Sequence, residues 1–363
     1  MAYFTSLNRI ILATTAVGVL LMVAGGLWFL SNESDDYALH MSQEFKRAND
    51  LMSANDVKAA VATYDELLGE AREAVNRETL LLYKAFALFQ QEDQQSGTEA
   101  VALLGDLVQR GSDPLIKSWA VALLLQFYYS SQSPDVLSTI RSLDVFSEMA
   151  SLPDESFLES LAEYGDSVEP TALGKIHLAA PLARRLIYDN ALTDDERTSL
   201  AGRIENLMVG SELLENDEVI FDSPFQHMML AHYRGIVLTA AAKGGTDPAL
   251  AEAQFQKAIA LANSRPDSGP MRYLSVYSHF YYAALAAEAL NNGEKVRNEL
   301  SVLIFFLDDA QISEVFGSFV TAASQNRSSQ NYKSLQNLAT MDAEFATFLK
   351  QRYGVDFTEA RES

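Results

Sequence analysis

The chain has 363 residues, a formal net charge of −22 and a hydrophobic fraction of 48%. That hydrophobic content is sufficient for a packed core and argues against a disordered chain. The acidic balance disfavours nucleic acid and anionic lipid surfaces as partners, because like charges repel. The sequence contains no cysteine, which excludes disulfides, thiolate metal sites and cysteine nucleophiles.

The first predicted element is a membrane-spanning helix from Ile10 to Leu30. These 21 residues include no charged side chain, and at about 1.5 Å per residue such a helix crosses the hydrocarbon core of a bilayer. Arg9 precedes the span, and acidic residues follow it from Glu33 to Asp36. The positive-inside rule then places residues 1–9 in the cytoplasm and the C-terminal domain on the opposite side.

A cleaved signal peptide is the alternative for this segment. The apolar region of a signal peptide usually has about 7–15 residues and ends at a site of small residues. Here the apolar run is longer and ends in the bulky side chains of Leu27 to Leu30, and only Ala24 to Gly26 offers a poor cleavage site. The lack of cysteine excludes lipoprotein processing and favours a bacterial periplasm. We therefore expect a single-pass inner-membrane protein with a periplasmic C-terminal domain.

From Tyr37 onward the sequence predicts one helix after another. Apolar residues recur at three- and four-residue spacing, alanine and leucine are abundant, and the alternation typical of strands is rare. Four helix starts are marked by a capping residue directly before a proline of the first turn. These pairs are Asp113-Pro114, Ser133-Pro134, Ser223-Pro224 and Asp247-Pro248. The fold class is therefore all-α, built from antiparallel helix hairpins.

One hairpin carries a specific packing pattern. After the turn residue Asn55, the second helix places Ala60, Tyr64 and Leu67 at intervals of four and three, and the helix before it offers Ala48 and Leu51. A small residue lets two helices approach closely, and an aromatic ring fills the space beside it. This segment resembles the second helix of a tetratricopeptide repeat.

The same pattern recurs later in the chain. Ala251, Phe255 and Ala258 repeat the spacing, and the preceding helix carries Gly235 and Leu238 at the small and large positions. A third copy runs through Tyr282, Leu285, Ala286 and Ala289. The resemblance implies a tetratricopeptide-like α-solenoid, in which stacked helix hairpins form a continuous core.

The pattern also divides the chain. Residues 1–9 form the cytoplasmic N-terminus and 10–30 the span. Residues 31–150 and 225–307 are predicted to be two blocks of repeats, and 151–224 an irregular helical connector. Residues 308–363 are expected to hold two capping helices, Ile312 to Ala323 and Tyr332 to Tyr353, and a polar tail.

The sequence offers little chemistry. His227 and His232 lie five residues apart, so their rings point to different sides of a helix and do not suit a metal. The nucleophile, phosphate and dinucleotide motifs of enzymes are absent from the sequence. Thr193 to Glu196 is typical of a helix capping box. We therefore expect no catalytic residue, cofactor or metal.

An aromatic helix is the candidate binding surface. Tyr273, Tyr277, Phe280 and Tyr281 share one face, and Arg272 precedes them. In tetratricopeptide proteins the first helix of each hairpin lines a groove that grips peptides, so the resemblance implies peptide binding here, with Arg272 pairing with an acidic group. Core packing between neighbouring hairpins is the other interpretation, and the one that we favour.

These observations predict a membrane-anchored scaffold that binds other proteins, in envelope assembly, secretion or export. The plan resembles single-span bacterial tetratricopeptide proteins. Its expected contacts are protein partners and the inner membrane through Ile10 to Leu30, with self-association into a homo-oligomer also open, and no nucleic acid. Two alternatives remain: a structural subunit of a large envelope complex, and an enzyme whose site lies in the connector around His177, Arg184 and Arg185.

Overall fold

The structure, a computed structural model, describes residues 35–53, 56–91, 93–130, 133–215, 224–265 and 269–358. These residues form sixteen α-helices and one short 3₁₀ helix, and they contain no β-strand. The predicted span Ile10 to Leu30 lies outside them. Within the described part, no helix combines the length and the apolar character that crossing a bilayer requires. The prediction of an all-α fold is confirmed for the described residues.

The sixteen helices are numbered in chain order. Their bounds are α1 Asp35–Ser53, α2 Val57–Glu70, α3 Ala74–Gln90, α4 Gln94–Arg110, α5 Pro114–Ser130, α6 Pro134–Ser142, α7 Asp154–Val168, α8 Ala172–Tyr188, α9 Asp194–Leu214, α10 Pro224–Ala242, α11 Pro248–Asn263, α12 Gly269–Glu288, α13 Gly293–Phe306, α14 Ala310–Ser324, α15 Gln330–Met341 and α16 Ala343–Tyr353. The 3₁₀ helix, Asp144–Phe146, follows α6.

The helix starts follow the local sequence. All four proline-marked starts are confirmed, because α5, α6, α10 and α11 each begin at the predicted proline. Asp113 accepts hydrogen bonds from the backbone N–H groups of Leu115 and Ile116, at 2.8 and 3.4 Å. Proline has no N–H to satisfy in this first turn, so it costs nothing there.

The capping box at the start of α9 is also confirmed. The backbone N–H of Thr193 donates to the Glu196 carboxylate at 2.8 Å, and the N–H of Glu196 donates to the Thr193 hydroxyl at 3.3 Å. Two N–H groups that a helix start leaves unpaired are thereby satisfied by side chains.

The chain divides into two compact units. The N-terminal unit comprises the described part of Ala16–Leu182 together with Asn206–Gln226, and the C-terminal unit comprises Ala183–Glu205 and the described part of His227–Ser363. In the N-terminal unit, helices α1 to α5 pack in chain order, each on the next, and α3 also contacts α5. Contact between successive helices is what a stack of hairpins requires, so the packing is compatible with a tetratricopeptide-like solenoid.

Beyond α5 the N-terminal unit becomes less regular. Helix α6 packs on α4, and α7 packs on α5. Between α6 and α7, Arg141 holds the connecting loop: its guanidinium donates to the carbonyl oxygens of Ala150 and Leu152, at 2.9 and 2.8 Å, and to the Asp154 carboxylate at 2.6 Å. The guanidinium also lies over the Phe157 ring, 4.4 Å from its centroid. One arginine thus joins an irregular loop to two helices.

The segment 151–224, predicted to be an irregular connector, contains three helices of ordinary length. Helices α7, α8 and α9 have 15, 17 and 21 residues. The tetratricopeptide spacing is missing from this segment, but helix formation requires only amphipathic periodicity and caps such as Thr193.

In the C-terminal unit, α11, α12 and α13 again pack in chain order. The order then changes, because α15 contacts α12 and α16 contacts α13. An aromatic core joins these helices, with Phe280, Phe316 and Phe319 fully or almost fully buried and their ring centroids 5.1 to 6.0 Å apart. These contacts tie the last helices back onto the hairpin α12–α13.

The sequence predicts one helix from Tyr332 to Tyr353, whereas the structure has two. The break falls at Asp342, whose backbone is extended (φ −134°, ψ 108°) and whose carboxylate accepts a hydrogen bond from the N–H of Phe345 at 2.8 Å. Aspartate favours such a cap over a helix interior, and a continuous apolar periodicity conceals it.

Candidate functional site

The first predicted repeat is a packed hairpin. Ala48, Ala60, Tyr64 and Leu67 are buried between α1 and α2, whereas Leu51 is half-buried. The Tyr64 hydroxyl donates to the side-chain oxygen of Asn49 at 2.7 Å, and burial raises the pKa of Tyr64 well above its ordinary value. These side chains therefore hold helices together and are not available to a ligand.

In the second predicted repeat a glycine lets two helices approach closely. A Cβ atom built on Gly235 of α10 would lie only 2.7 to 2.9 Å from three ring atoms of Phe255 on α11. Phe255 is fully buried and stacks on Tyr282, with 6.0 Å between ring centroids. The other residues of the pattern are buried as well: Leu238, Ala251, Ala258 and Ala286.

The aromatic face of α12 is divided between core and surface. Tyr277 and Phe280 are buried in the C-terminal core. Tyr281 is largely covered; its hydroxyl donates to the side-chain oxygen of Asn331 at 3.3 Å, and burial raises the pKa of Tyr281. Arg272 and Tyr273, at the start of the face, are partly exposed, and the Arg272 side chain is 41% exposed. The structure thus places most of the predicted stripe inside the unit.

Arg272 and Tyr273 lie beside the first turn of α14. Arg272 Nη2 is 3.5 Å from the Asp309 carboxylate, which caps that helix. Burial, and then the negative charges of Asp309 and Glu314, raise the pKa of Tyr273. The exposed end of the predicted stripe is therefore continuous with the surface of α14.

That surface forms a groove between α14 and α16, with a volume of about 600 Å³. Its floor is one side of α14, which carries small and polar side chains together with Glu314, and its wall is the end of α16. The lining includes Ser313, Gly317, Thr321, Gln325, Arg352 and Tyr353.

Gly317 sets the closeness of the two helices. A Cβ atom there would lie 2.8 Å from the Tyr353 ring, so a larger residue would push α16 away from α14. The Tyr353 ring also packs near Phe316, with 6.3 Å between centroids, which fixes its position against the core. The wall of the groove is thereby built on buried aromatic packing.

A polar cluster lies in the groove where Arg352, Ser313 and Tyr353 meet. Arg352 Nε donates to the Ser313 hydroxyl at 2.9 Å, and the hydroxyls of Ser313 and Tyr353 are 3.0 Å apart. Burial raises the pKa of Tyr353, although the Ser313 hydroxyl and the Arg352 charge oppose that rise. Within the described residues, the two terminal nitrogens of Arg352 make no hydrogen bond. The cluster therefore presents two charged donors, the terminal nitrogens of Arg352. The hydrogen bond from Arg352 Nε to Ser313 holds them in place.

Sequence reasoning missed this groove. Ser313, Gly317 and Thr321 recur every four residues within a helix that was expected only to cap the chain, and this spacing is a weak signal of a small-residue face. Arg352 comes from another helix, 39 residues away from Ser313, so no local pattern links the two.

Burial shifts the pKa of two histidines of the alternative sites, His177 and His232. His177 Nε2 is buried and has no hydrogen-bond partner within the described part of the chain, and burial lowers the pKa of His177 to about 4. His232 is also buried, with Nδ1 2.9 Å from the Ser278 hydroxyl, and burial lowers its pKa to about 3. Both rings are neutral near pH 7. Across the described ranges, no three His, Asp or Glu side chains lie close enough together to hold a metal.

The chain was compared with known proteins in three ways. No family model, no curated protein and no solved structure matches it. What the described residues define is an all-helical protein of many stacked helices, with a polar groove near its C-terminal end. That class is compatible with a tetratricopeptide-like solenoid.

Proposed function

We propose that this protein is a membrane-anchored, tetratricopeptide-like scaffold that binds other proteins outside the cytoplasm. The observation that carries the proposal is the combination of an uncharged segment from Ile10 to Leu30 with sixteen packed helices in the described residues after it. A stack of helices offers an extended surface, and such surfaces serve binding.

Three features support a scaffold over an enzyme. Burial lowers the pKa of His177 in the connector and of His232 in α10, so both rings are neutral near pH 7. Arg185, which the enzyme alternative needs, has its Nε 3.4 Å from the Asp189 carboxylate, one helical turn away. The groove between α14 and α16, in contrast, is open and is lined by polar side chains that can make further hydrogen bonds. Envelope assembly, secretion or export is the setting that the predicted anchor favours.

The structural-subunit alternative has one supporting observation. Phe305, on α13, is 73% exposed, and Val302 is exposed one turn before it. Exposed aromatic side chains are enriched where proteins associate. A permanent complex would bury both residues, and size measurement of the detergent-solubilised chain tests whether copies of this protein form it.

In-cell crosslinking of the full-length chain, followed by identification of what is captured, tests the proposal. The expected result is a reproducible set of proteins that disappears when residues 10–30 are replaced by a soluble linker. A chain that is released by washing without detergent, or that captures nothing above an unrelated anchored control, contradicts the proposal.

A further inference from the structure

The groove between α14 and α16 has more binding chemistry than the packing of the two helices needs. Ser313 and Tyr353 are joined to each other and to Arg352 Nε, so the cluster is fixed from within. The terminal nitrogens of Arg352 remain available within the described chain, and so do the side chains of Thr321 and Gln325. A guanidinium with two parallel donors matches the two oxygens of a carboxylate.

The dimensions of the groove fit a short extended segment. Ser313 and Gln325 are twelve residues apart on α14, which corresponds to about 18 Å along the helix axis. An extended chain advances about 3.3 Å per residue, so roughly five or six residues cover this length. The Tyr353 ring covers Gly317, whereas Thr321 and Gln325 are exposed, and the Thr321 hydroxyl and Gln325 amide can pair with the N–H and C=O groups of such a segment.

Charge selects the occupant. The protein carries 49 acidic and 27 basic residues, so a strongly acidic partner is repelled as a whole. Arg352 is nevertheless a local positive site, and it lowers the pKa of the neighbouring Tyr353 against the effect of burial. Glu314, which also lines the groove, adds a negative charge whose effect reaches Tyr273, since it helps to raise the pKa of that tyrosine. A single carboxylate is therefore attracted at the Arg352 end, whereas a run of them is not.

We infer that this groove holds an extended segment of a partner protein, five or six residues long, with one aspartate or glutamate side chain bound by Arg352. The inference rests on the proposed scaffold function and names the partner chemistry of one surface. The ion pair between Arg352 and the acidic side chain fixes the position of the segment in the groove. Thr321 and Gln325 bind the backbone of the segment, whatever its sequence. Recognition then depends on one acidic position within an otherwise uncharged segment.

The test uses the full-length chain in detergent and a set of labelled hexapeptides with both ends blocked. Each sub-library fixes glutamate or glutamine at one position, and the other positions are an equal mixture of alanine, serine, threonine and glycine. Fluorescence anisotropy should show one glutamate position that binds about three- to tenfold more tightly than its glutamine counterpart, as expected for one charge-assisted pair at a partly exposed site. The preference should vanish in Arg352→Gln and persist in the control Arg327→Gln, which removes an exposed arginine of the same unit.

Thr321→Ala with Gln325→Ala keeps the inference testable if Arg352→Gln alters folding. This double variant should weaken all sub-libraries to a similar degree and keep the preference for glutamate. The inference is overturned if no position prefers glutamate, if the preference survives Arg352→Gln in a folded protein, or if peptides without glutamate but with a free C-terminus bind in its place. If wild type and Arg352→Gln then capture the same partners in cells, the scaffold proposal holds although the inference fails. If the anchored chain captures no partner, the scaffold proposal itself is contradicted.

Discussion

Replacing Gly235 by alanine tests a close helix contact in the C-terminal unit. The new methyl group would lie 2.7 Å from Cε1, 2.8 Å from Cζ and 2.9 Å from Cδ1 of Phe255. Phe255 cannot move freely, because it is fully buried and stacked on Tyr282. Helices α10 and α11 must therefore separate, or the ring must leave its preferred rotamer.

Two opposing terms set the size of the effect. Overpacking a core costs about 1–3 kcal/mol, whereas glycine to alanine in a helix interior gains about 0.5–1 kcal/mol. A Cβ atom added to Gly202, inside α9 and in the same unit, would meet nothing within 4 Å beyond its own stretch of helix. Gly202→Ala therefore gains helix propensity without overpacking. The free energies of unfolding of the two variants should differ by about 1–3 kcal/mol, which is the cost of overpacking Gly235 against Phe255.

Urea denaturation of the full-length chain in mild detergent, followed by far-UV circular dichroism, measures this difference. Gly235→Ala should unfold at lower urea than the wild type, and Gly202→Ala at equal or higher urea. Adding Phe255→Leu to Gly235→Ala should cost less than the sum of the two single changes, because the smaller side chain relieves the clash. Equal midpoints for the two alanine variants would refute the close packing of α10 on α11.

Three further outcomes are expected. Arg141→Lys should speed hydrogen exchange in the loop before α7, because lysine lacks the planar guanidinium that binds two carbonyl oxygens and a carboxylate. The control Arg110→Lys, which changes one exposed ion pair, should leave the exchange rates of this loop unaltered. The lysine and tyrosine bound to Glu252 lower its pKa, so its contribution to stability is present above its ordinary value near 4.5 and is lost as the pH falls through the lowered value. The stability deficit of Glu252→Gln should therefore shrink in acid when it is measured by denaturation across pH. Leu20→Arg should reduce membrane retention on fractionation, since arginine at the centre of a span costs about 2.5–3.5 kcal/mol, and full retention would contradict the predicted anchor.

Local sequence was sufficient for the helices and several of their ends. The proline-marked starts and the Thr193 capping box depend on residues within one turn, so they are legible without tertiary information. The break at Asp342 was missed because the apolar periodicity continues through it. A cap of this kind is decided by packing on both sides as much as by the residue itself.

Tertiary relations were legible only where a repeat pattern exists. The spacing that relates Gly235 to Phe255 indicates a hairpin contact, whereas the spacing on α12 groups Tyr277 with Phe280 but does not say which helix covers them. Helix α14 covers both, through Phe316. The hydrogen bond between Arg352 and Ser313 likewise requires α16 to return beside α14. That packing cannot be predicted from either residue or its neighbours in sequence.

The way the helices contact one another also bears on how such a chain changes over evolutionary time. Along α1 to α5 each helix packs on the next, and the other contact within this stretch joins α3 to α5, so a duplicated hairpin inserted there interrupts contacts only between near neighbours in the chain. After α12 the chain doubles back, with α15 against α12 and α16 against α13, and the same insertion would separate these pairs. Duplication of a hairpin is therefore more easily accommodated between α1 and α5 than after α12.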